Sequence, residues 1–133
     1  GGVRDGARMT LLLDTHAFLW WLDDPALLSD AAREAIGDGR NTVYVSAAVV
    51  WEIVIKKALG KLDAPDDLGA AMAANRFLPL PITVSHALAV AALPNVHRDP
   101  FDRLLVAQAV HEGIKLVSRD PNVLLYGAPH IVA

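Results

Sequence analysis

The sequence predicts an α/β fold, a three-layer α/β/α sandwich in which helices cover both faces of a mostly parallel central sheet. Three observations carry that expectation. Short apolar runs alternate with helical segments along the whole chain, the pattern of repeated strand–helix–strand units. Those runs are continuous rather than alternating, as in strands buried on both faces. Two Asp-Pro pairs, at Asp99-Pro100 and Asp120-Pro121, have the cap residue and the first-turn proline that open helices.

In chain order, residues 10–13 are a short apolar run that stops at Asp14, a first strand. Residues 16–22 read as a helix, closed by the turn Asp23-Asp24-Pro25. Ser29 caps a helix running to residue 38, with Gly37 and Gly39 marking its end. Residues 43–46 are β-branched and aromatic, a second strand, and lead into a helix over 47–59 closed by Gly60. A helix follows over 66–75. Residues 77–82 contain Pro79 and Pro81, so a strand there is short or at an edge. Thr83 caps a helix to residue 93. The helix opened by Asp99-Pro100 runs to Glu112 and stops at Gly113; residues 114–117 form a strand, and 129–132 a last edge strand.

Length and composition bound the function. The 133 residues suit one domain with a real core, and the apolar fraction of 53% exceeds the usual range of roughly 45–50%. The mean hydropathy is +0.33. Such an excess feeds a buried sheet or an apolar face covered by a partner. No apolar run reaches the ~20 residues that span a bilayer, and the N-terminus has no secretory h-region, which points to a cytoplasmic protein without a membrane segment. The absence of cysteine excludes disulfides and thiolate-bound zinc. The five histidines have no HxxxH-like spacing. Residues 1–8 are Gly-rich and aperiodic and read as an expression remnant or an upstream extension, leaving 9–133 as the domain. A net charge of −3 runs against a generic nucleic-acid binder, which is usually basic.

Ligands of open α/β sheets bind beyond the carboxyl ends of the strands. Asp14 follows the first strand, Asp120 comes shortly after a later one, Asp102 lies in the first turn of the helix from Pro100, and Glu52 lies in the helix after the second strand. Their convergence on one edge makes them candidate catalytic and metal-binding acids. Asp14, Asp102 and Asp120 can each also be ordinary cap residues. Glu52 differs, because Ala47, Ala48, Val49, Val50, Trp51, Ile53, Val54 and Ile55 give it no polar face. A buried carboxylate needs a partner; Lys56, four residues on, is one that requires no functional role. Carboxylates ~5 Å apart repel by on the order of 3 kcal/mol at an effective dielectric of ~20, which raised pKa values or a bound cation relieves. An all-oxygen donor set favours hard Mg²⁺ or Mn²⁺, which can promote attack of water on a phosphate. His16, next to Asp14, reads as polar support. Trp20, Trp21 and Trp51 read as core or interface residues.

Four segments resemble a PIN domain, specifically the VapC toxins of bacterial toxin–antitoxin pairs. They are Leu11-Leu12-Leu13-Asp14-Thr15-His16; Ser46-Ala47-Ala48 with Trp51-Glu52-Ile53; His97-Arg98-Asp99-Pro100-Phe101-Asp102-Arg103-Leu104-Leu105; and Leu116-Val117-Ser118-Arg119-Asp120. The resemblance spans nearly all of the chain from Met9. It implies that Asp14, Glu52, Asp102 and Asp120 are the metal-binding acids, Ser118 the supporting hydroxyl and Asp99 an auxiliary acid. It further implies Mg²⁺- or Mn²⁺-dependent hydrolysis of RNA, homodimerisation and inhibition by a VapB-like antitoxin. Relatives often carry a second serine shortly before Trp-Glu, where this chain has Val49 or Val50. Arg98, Arg103 and Arg119 are candidate RNA contacts by their nearness to the acids in sequence, with solvated surface charge as the alternative.

Two rival functions share the pattern. A phospho-acceptor signalling domain also places acids at strand ends, but needs a lysine closing a late strand, whereas Lys115 begins one, and it leaves Glu52 without a role. A non-catalytic module keeping only the fold would not be expected to retain all four acids.

Overall fold

In the computed structural model, residues 8–133 are described; the segment read as an expression remnant or upstream extension, residues 1–8, falls outside them apart from Arg8. Five strands, β1 (Thr10–Leu13), β2 (Thr42–Ser46), β3 (Leu78–Leu80), β4 (Lys115–Ser118) and β5 (His130–Val132), form one sheet in the order β3-β2-β1-β4-β5. All four pairings are parallel, so the expected mostly parallel sheet is wholly parallel among the described residues. Seven helices, among the described residues, accompany it: α1 (Thr15–Asp23), α2 (Asp30–Gly37), α3 (Ala47–Ala58), α4 (Leu68–Ala74), α5 (Val84–Ala89), α6 (Pro100–Glu112) and α7 (Pro121–Leu124).

The core explains the sequence pattern. Leu11, Leu12 and Leu13 are consecutive and all fully buried, which requires cover on both faces of β1. Val45, Leu116 and Val117 complete the middle of the sheet beside them. Phe18 of α1, Ile53 of α3 and Val106 of α6 bring helix side chains into the same cluster. Pro79 stands in β3 at the sheet edge, where its missing N–H does not interrupt a ladder on the outer side.

Caps set the helix limits. Ser29 Oγ accepts the Ala32 amide at 3.0 Å, and α6 ends at Gly113, whose φ of +67° is the left-handed conformation glycine adopts freely. The expected helix over 66–75 is shorter, because Asp67 rather than an earlier residue takes the cap and accepts the Ala70 amide at 2.9 Å. The expected helix to residue 93 breaks after Ala89 into a tighter 3₁₀ turn over Val90–Ala92. The Asp24-Pro25 turn likewise winds into a 3₁₀ segment over Pro25–Leu27.

Strand order reverses at β1: the chain builds β2 and β3 on one side, then β4 and β5 on the other. The crevice beyond the carboxyl ends of β1 and β4 is therefore the switch point of the sheet, where such folds bind ligands. A buried polar strut braces the neighbouring helices. Gln108 of α6, fully buried, accepts a hydrogen bond from Ser46 Oγ and directs its Nε2 to the Pro81 carbonyl at 3.3 Å. Replacing it with leucine leaves the fully buried Ser46 hydroxyl without its acceptor. Gln108→Leu is expected to lower unfolding stability by about 1–3 kcal/mol, read from urea denaturation.

Candidate active site

Asp14 leaves β1 directly into α1. Its amide donates to the Val117 carbonyl at 3.1 Å, extending the β1–β4 ladder by one rung. Its Oδ1 accepts the Ala17 amide at 2.8 Å, so it is the cap of α1 as well as the acid at the switch point. The side chain is buried, and burial pushes its carboxyl above the usual range. Hydrogen bonds from Ser118 and Ala17 and the charge of His16 pull it back, while Asp120 pushes it further up.

Ser118, buried at the end of β4, connects two of the acids. Its hydroxyl bonds the Asp14 carboxylate and accepts the Asp120 amide at 3.1 Å. Asp120 caps α7 through the Asn122 amide at 2.9 Å. The local sequence dictates this: Pro121 at the first helical position leaves the preceding aspartate to cap the turn.

Glu52 is buried on α3, as its apolar neighbours predicted. Two groups satisfy it. Thr15 Oγ1, from the first turn of α1, donates to Oε1, and Lys56 Nζ lies 2.8 Å from Oε2. The partner that needs no functional role is thus present, but it does not stand apart from the acids. Lys56 also feels the charges of Asp99 and Asp102, which together with Glu52 raise its pKa.

Asp102 sits in the first turn of α6, with Asp99 as the cap accepting its amide at 3.0 Å. Its carboxyl is pushed up to about 6, first by burial, with the charges of Asp99, Glu52 and Asp120 adding and a hydrogen bond with His97 opposing. The His97 Nε2–Asp102 Oδ2 distance is 2.9 Å. The mutual influence of Asp14 with Asp120, and of Asp102 with Asp99, Glu52 and Asp120, places the five acids in one electrostatic neighbourhood.

Among the described residues, ligand atoms of His97, Asp99 and Asp102 lie within 4.8 Å of one another, a spacing open to a shared ion. Among the described residues, no three of Asp14, Glu52, Asp102 and Asp120 form a trio that tight, although each carboxylate has a donor of this chain. The donor set still fits a hard divalent cation: clustered carboxylates, two of them desolvated with raised pKa values, in a setting that favours added positive charge.

A second trio, His86, His111 and Glu112, lies away from the acids on α5 and α6. The Thr83 amide donates to His86 Nδ1 at 3.1 Å, so the neutral ring carries its proton on Nε2, 2.8 Å from Glu112 Oε2. That tautomer completes the cap of α5 and offers no lone pair at Nε2 to an ion.

The arginines divide. Arg103 is a bolt, donating to the carbonyls of Val90, Pro94 and His97 and to Tyr126. Arg119 donates to the Ala133 and Leu27 carbonyls and covers the Trp20 ring with its guanidinium 4.2 Å from the centroid. Arg98 is exposed and has no hydrogen bond or ion pair among the described residues. Trp20 and Trp21 pack against the core, whereas Trp51 is 58% exposed beside Phe101. Sequence reasoning did not single out Thr15, nor His97 as a partner of Asp102. The only signal for either is its place in the segments that carry the acids.

The PIN domain family matches residues 11–127. The chain is 32% identical over 126 residues to Ribonuclease VapC22 of Mycobacterium tuberculosis, covering 92% of this chain and 96% of the relative. It is similar in fold to the crystal structure of VapBC2 from Rickettsia felis bound to a DNA fragment from its promoter, with a TM-score of 0.67 at 14% identity, covering 93% of this chain and 98% of the other. It also matches a toxin–antitoxin complex from Klebsiella pneumoniae, with a TM-score of 0.64 at 17% identity, covering 92% and 96%.

The raised pKa of Asp102 has a testable sign. Its native carboxyl is pushed up to about 6 from the ordinary 3.8 of an aspartate, so the native state holds the proton longer than the unfolded chain does. The stability contributed by this group therefore falls as pH rises from about 4 to 6, and the full penalty is present at pH 8. Asp102→Asn removes the charge and keeps an oxygen for His97. Without divalent ions at pH 8, it is expected to stabilise the protein by about 1–2 kcal/mol, a discount for partial exposure included, and to raise Tm by a few degrees; at pH 4 the gain vanishes.

Proposed function

The chain belongs to the PIN-domain family, and from that premise we propose that it is a Mg²⁺- or Mn²⁺-dependent ribonuclease, the toxin of a VapBC-type toxin–antitoxin pair. The observation that carries this reading is the shared electrostatic neighbourhood of Asp14, Glu52, Asp99, Asp102 and Asp120 at the switch point of a parallel sheet. The curated relative bears the name of a ribonuclease, and the similar solved structures are toxin–antitoxin assemblies, which supports the same assignment.

In this reading Asp14, Glu52 and Asp102 hold the main ion, and Asp120 holds a second or orients water. Asp99 and Ser118 are auxiliary. A hard divalent ion supplies, when bound, charge stabilisation at the phosphate and activation of water. The chain's own groups do the rest. Ala17 and Ser118 fix the Asp14 carboxylate in one orientation. Thr15 and Lys56 hold the buried Glu52 carboxylate in place, one at each oxygen, and His97 orients Asp102. Hydrolysis adds water across one phosphodiester bond and yields two ends. Of the three arginines, Arg98 is the one without a hydrogen bond or ion pair among the described residues and so the one left for a phosphate; Arg103 and Arg119 would reach RNA only from their structural posts.

The partner would be a VapB-like antitoxin, and the protein a homodimer in the cytoplasm. An open apolar groove of about 570 Å³, lined by Val50, Trp51, Val54, Met72 and Phe77 among others, supports a protein partner. No helix among the described residues is long and apolar enough to cross a membrane. Residues 9–133 would form the catalytic domain, with 1–8 an expression remnant or an upstream extension.

Sequencing of RNA ends after incubation with the purified protein tests the activity. Cleavage with Mn²⁺ is expected to stop in EDTA and to fall by about 100-fold or more in Asp14→Asn and Asp102→Asn; cleavage by Asp14→Asn at the wild-type rate defeats the assignment. Mn²⁺ is also expected to raise Tm, by an amount that shrinks as pH falls below about 6, because protons compete for Asp102 and Asp14.

A further inference from the structure

Beside the acids lies a cleft of about 430 Å³, lined by Asp14, His16, Trp20, Arg119, Asp120 and Pro121. Its volume is within the range of small-ligand sites, and its walls are mostly apolar although two carboxylates open onto it. The walls are also braced. Trp20 is partly buried against the core, and Arg119 presses on its ring from a position fixed by the Ala133 and Leu27 carbonyls. His16 projects from the first turn of α1 with its ring 5.6 Å from that of Trp20, tilted by 40°. Neither of its nitrogens has a hydrogen-bond partner among the described residues, and its exposed ring, beside Trp20, borders the cleft.

We propose that this cleft is a nucleobase subsite, in which His16 stacks on the base of a nucleotide adjoining the phosphate to be cut. The inference rests on the ribonuclease reading and adds to it a stacking contact for one base beside the bond that is cut. Stacking on an aromatic ring needs a base whose face is free, and a base inside a helix does not have one. A divalent ion held by the neighbouring carboxylates would put the phosphate beside the cleft, and the apolar Trp20 and Pro121 surfaces suit the base rather than the phosphate. Stacking also supplies affinity that a chain of net charge −3 does not obtain from a basic surface.

The test uses the whole protein with Mn²⁺ and a short single-stranded RNA cut at one mapped bond. Matched RNAs carry an abasic nucleotide on one or the other side of that bond. Wild-type kcat/KM is expected to fall about 5- to 100-fold for one of the two abasic RNAs. His16→Ala should show a similar loss on intact RNA and little further loss on that abasic RNA. His16→Phe, which keeps a ring but has no titrating nitrogen, should stay near wild type. Equal losses of His16→Ala on intact and abasic RNA overturn the proposal, as does an unchanged rate on intact RNA. So does failure of phenylalanine to rescue, which would mark a proton-transfer or charge role. If the wild type cuts no RNA, the ribonuclease reading falls and the subsite with it. If the wild type cuts and Asp14→Asn does not, that reading stands and the abasic comparison alone decides.

Discussion

Asp14 ends the central strand of a parallel sheet with its carboxylate almost out of water, and the surrounding structure is organised by the need to hold a charge there. Three consecutive buried leucines carry the chain to that point, so the acid cannot retreat toward solvent without unpacking β1. The Ala17 amide at the start of α1 and the Ser118 hydroxyl at the end of β4 answer the charge from two elements. Ser118 in turn takes the Asp120 amide, so the position of one acid fixes the entry of the next helix. Burial still prevails over these bonds, since the Asp14 carboxyl remains raised. A group so placed is costly in the protein alone and becomes favourable when a cation shares the site.

The same residues show what was legible in the sequence. Strand positions followed from continuous apolar runs, and most helix starts from Ser29, Asp99-Pro100 and Asp120-Pro121, because caps and prolines act locally. Departures came where two local options compete. Asp66 and Asp67 both offer a cap, and which one closes on the Ala70 amide depends on how the loop before α4 is held. The helix after Thr83 stops early although no glycine or proline interrupts residues 84–93. Arg103 takes the Val90 carbonyl just beyond α5, a long-range bond that local propensity does not report.

Within the site, the acids were legible and their partners were not. Glu52 announced itself as a charge in an apolar helix, and burial bears that out. Its helical partner Lys56 and its distant partner Thr15 are both engaged, one per oxygen. The i+4 spacing exposes the first; the second depends on α1 and α3 packing together, which no local pattern encodes. His97 belongs to the same class, five residues before the acid it orients and separated from it by a helix start.

The charge balance of the chain takes on a meaning once the arginines are placed. Arg103 and Arg119 spend their donors on backbone carbonyls and their faces on Tyr126 and Trp20. These two cations, close to the acids in sequence, therefore do not form a basic track; they brace loops and rings around an acidic centre. Such a surface attracts a polyanion weakly at a distance, since long-range attraction grows with the number of free cations. Recognition must then come from contacts made at close range. Under the proposed ribonuclease function the acids would act on a phosphate only through a shared cation, which leaves shape and aromatic surface as the remaining determinants. The Arg119 guanidinium links these terms, because by holding Trp20 it sets the wall of the cleft that Asp14 and Asp120 face.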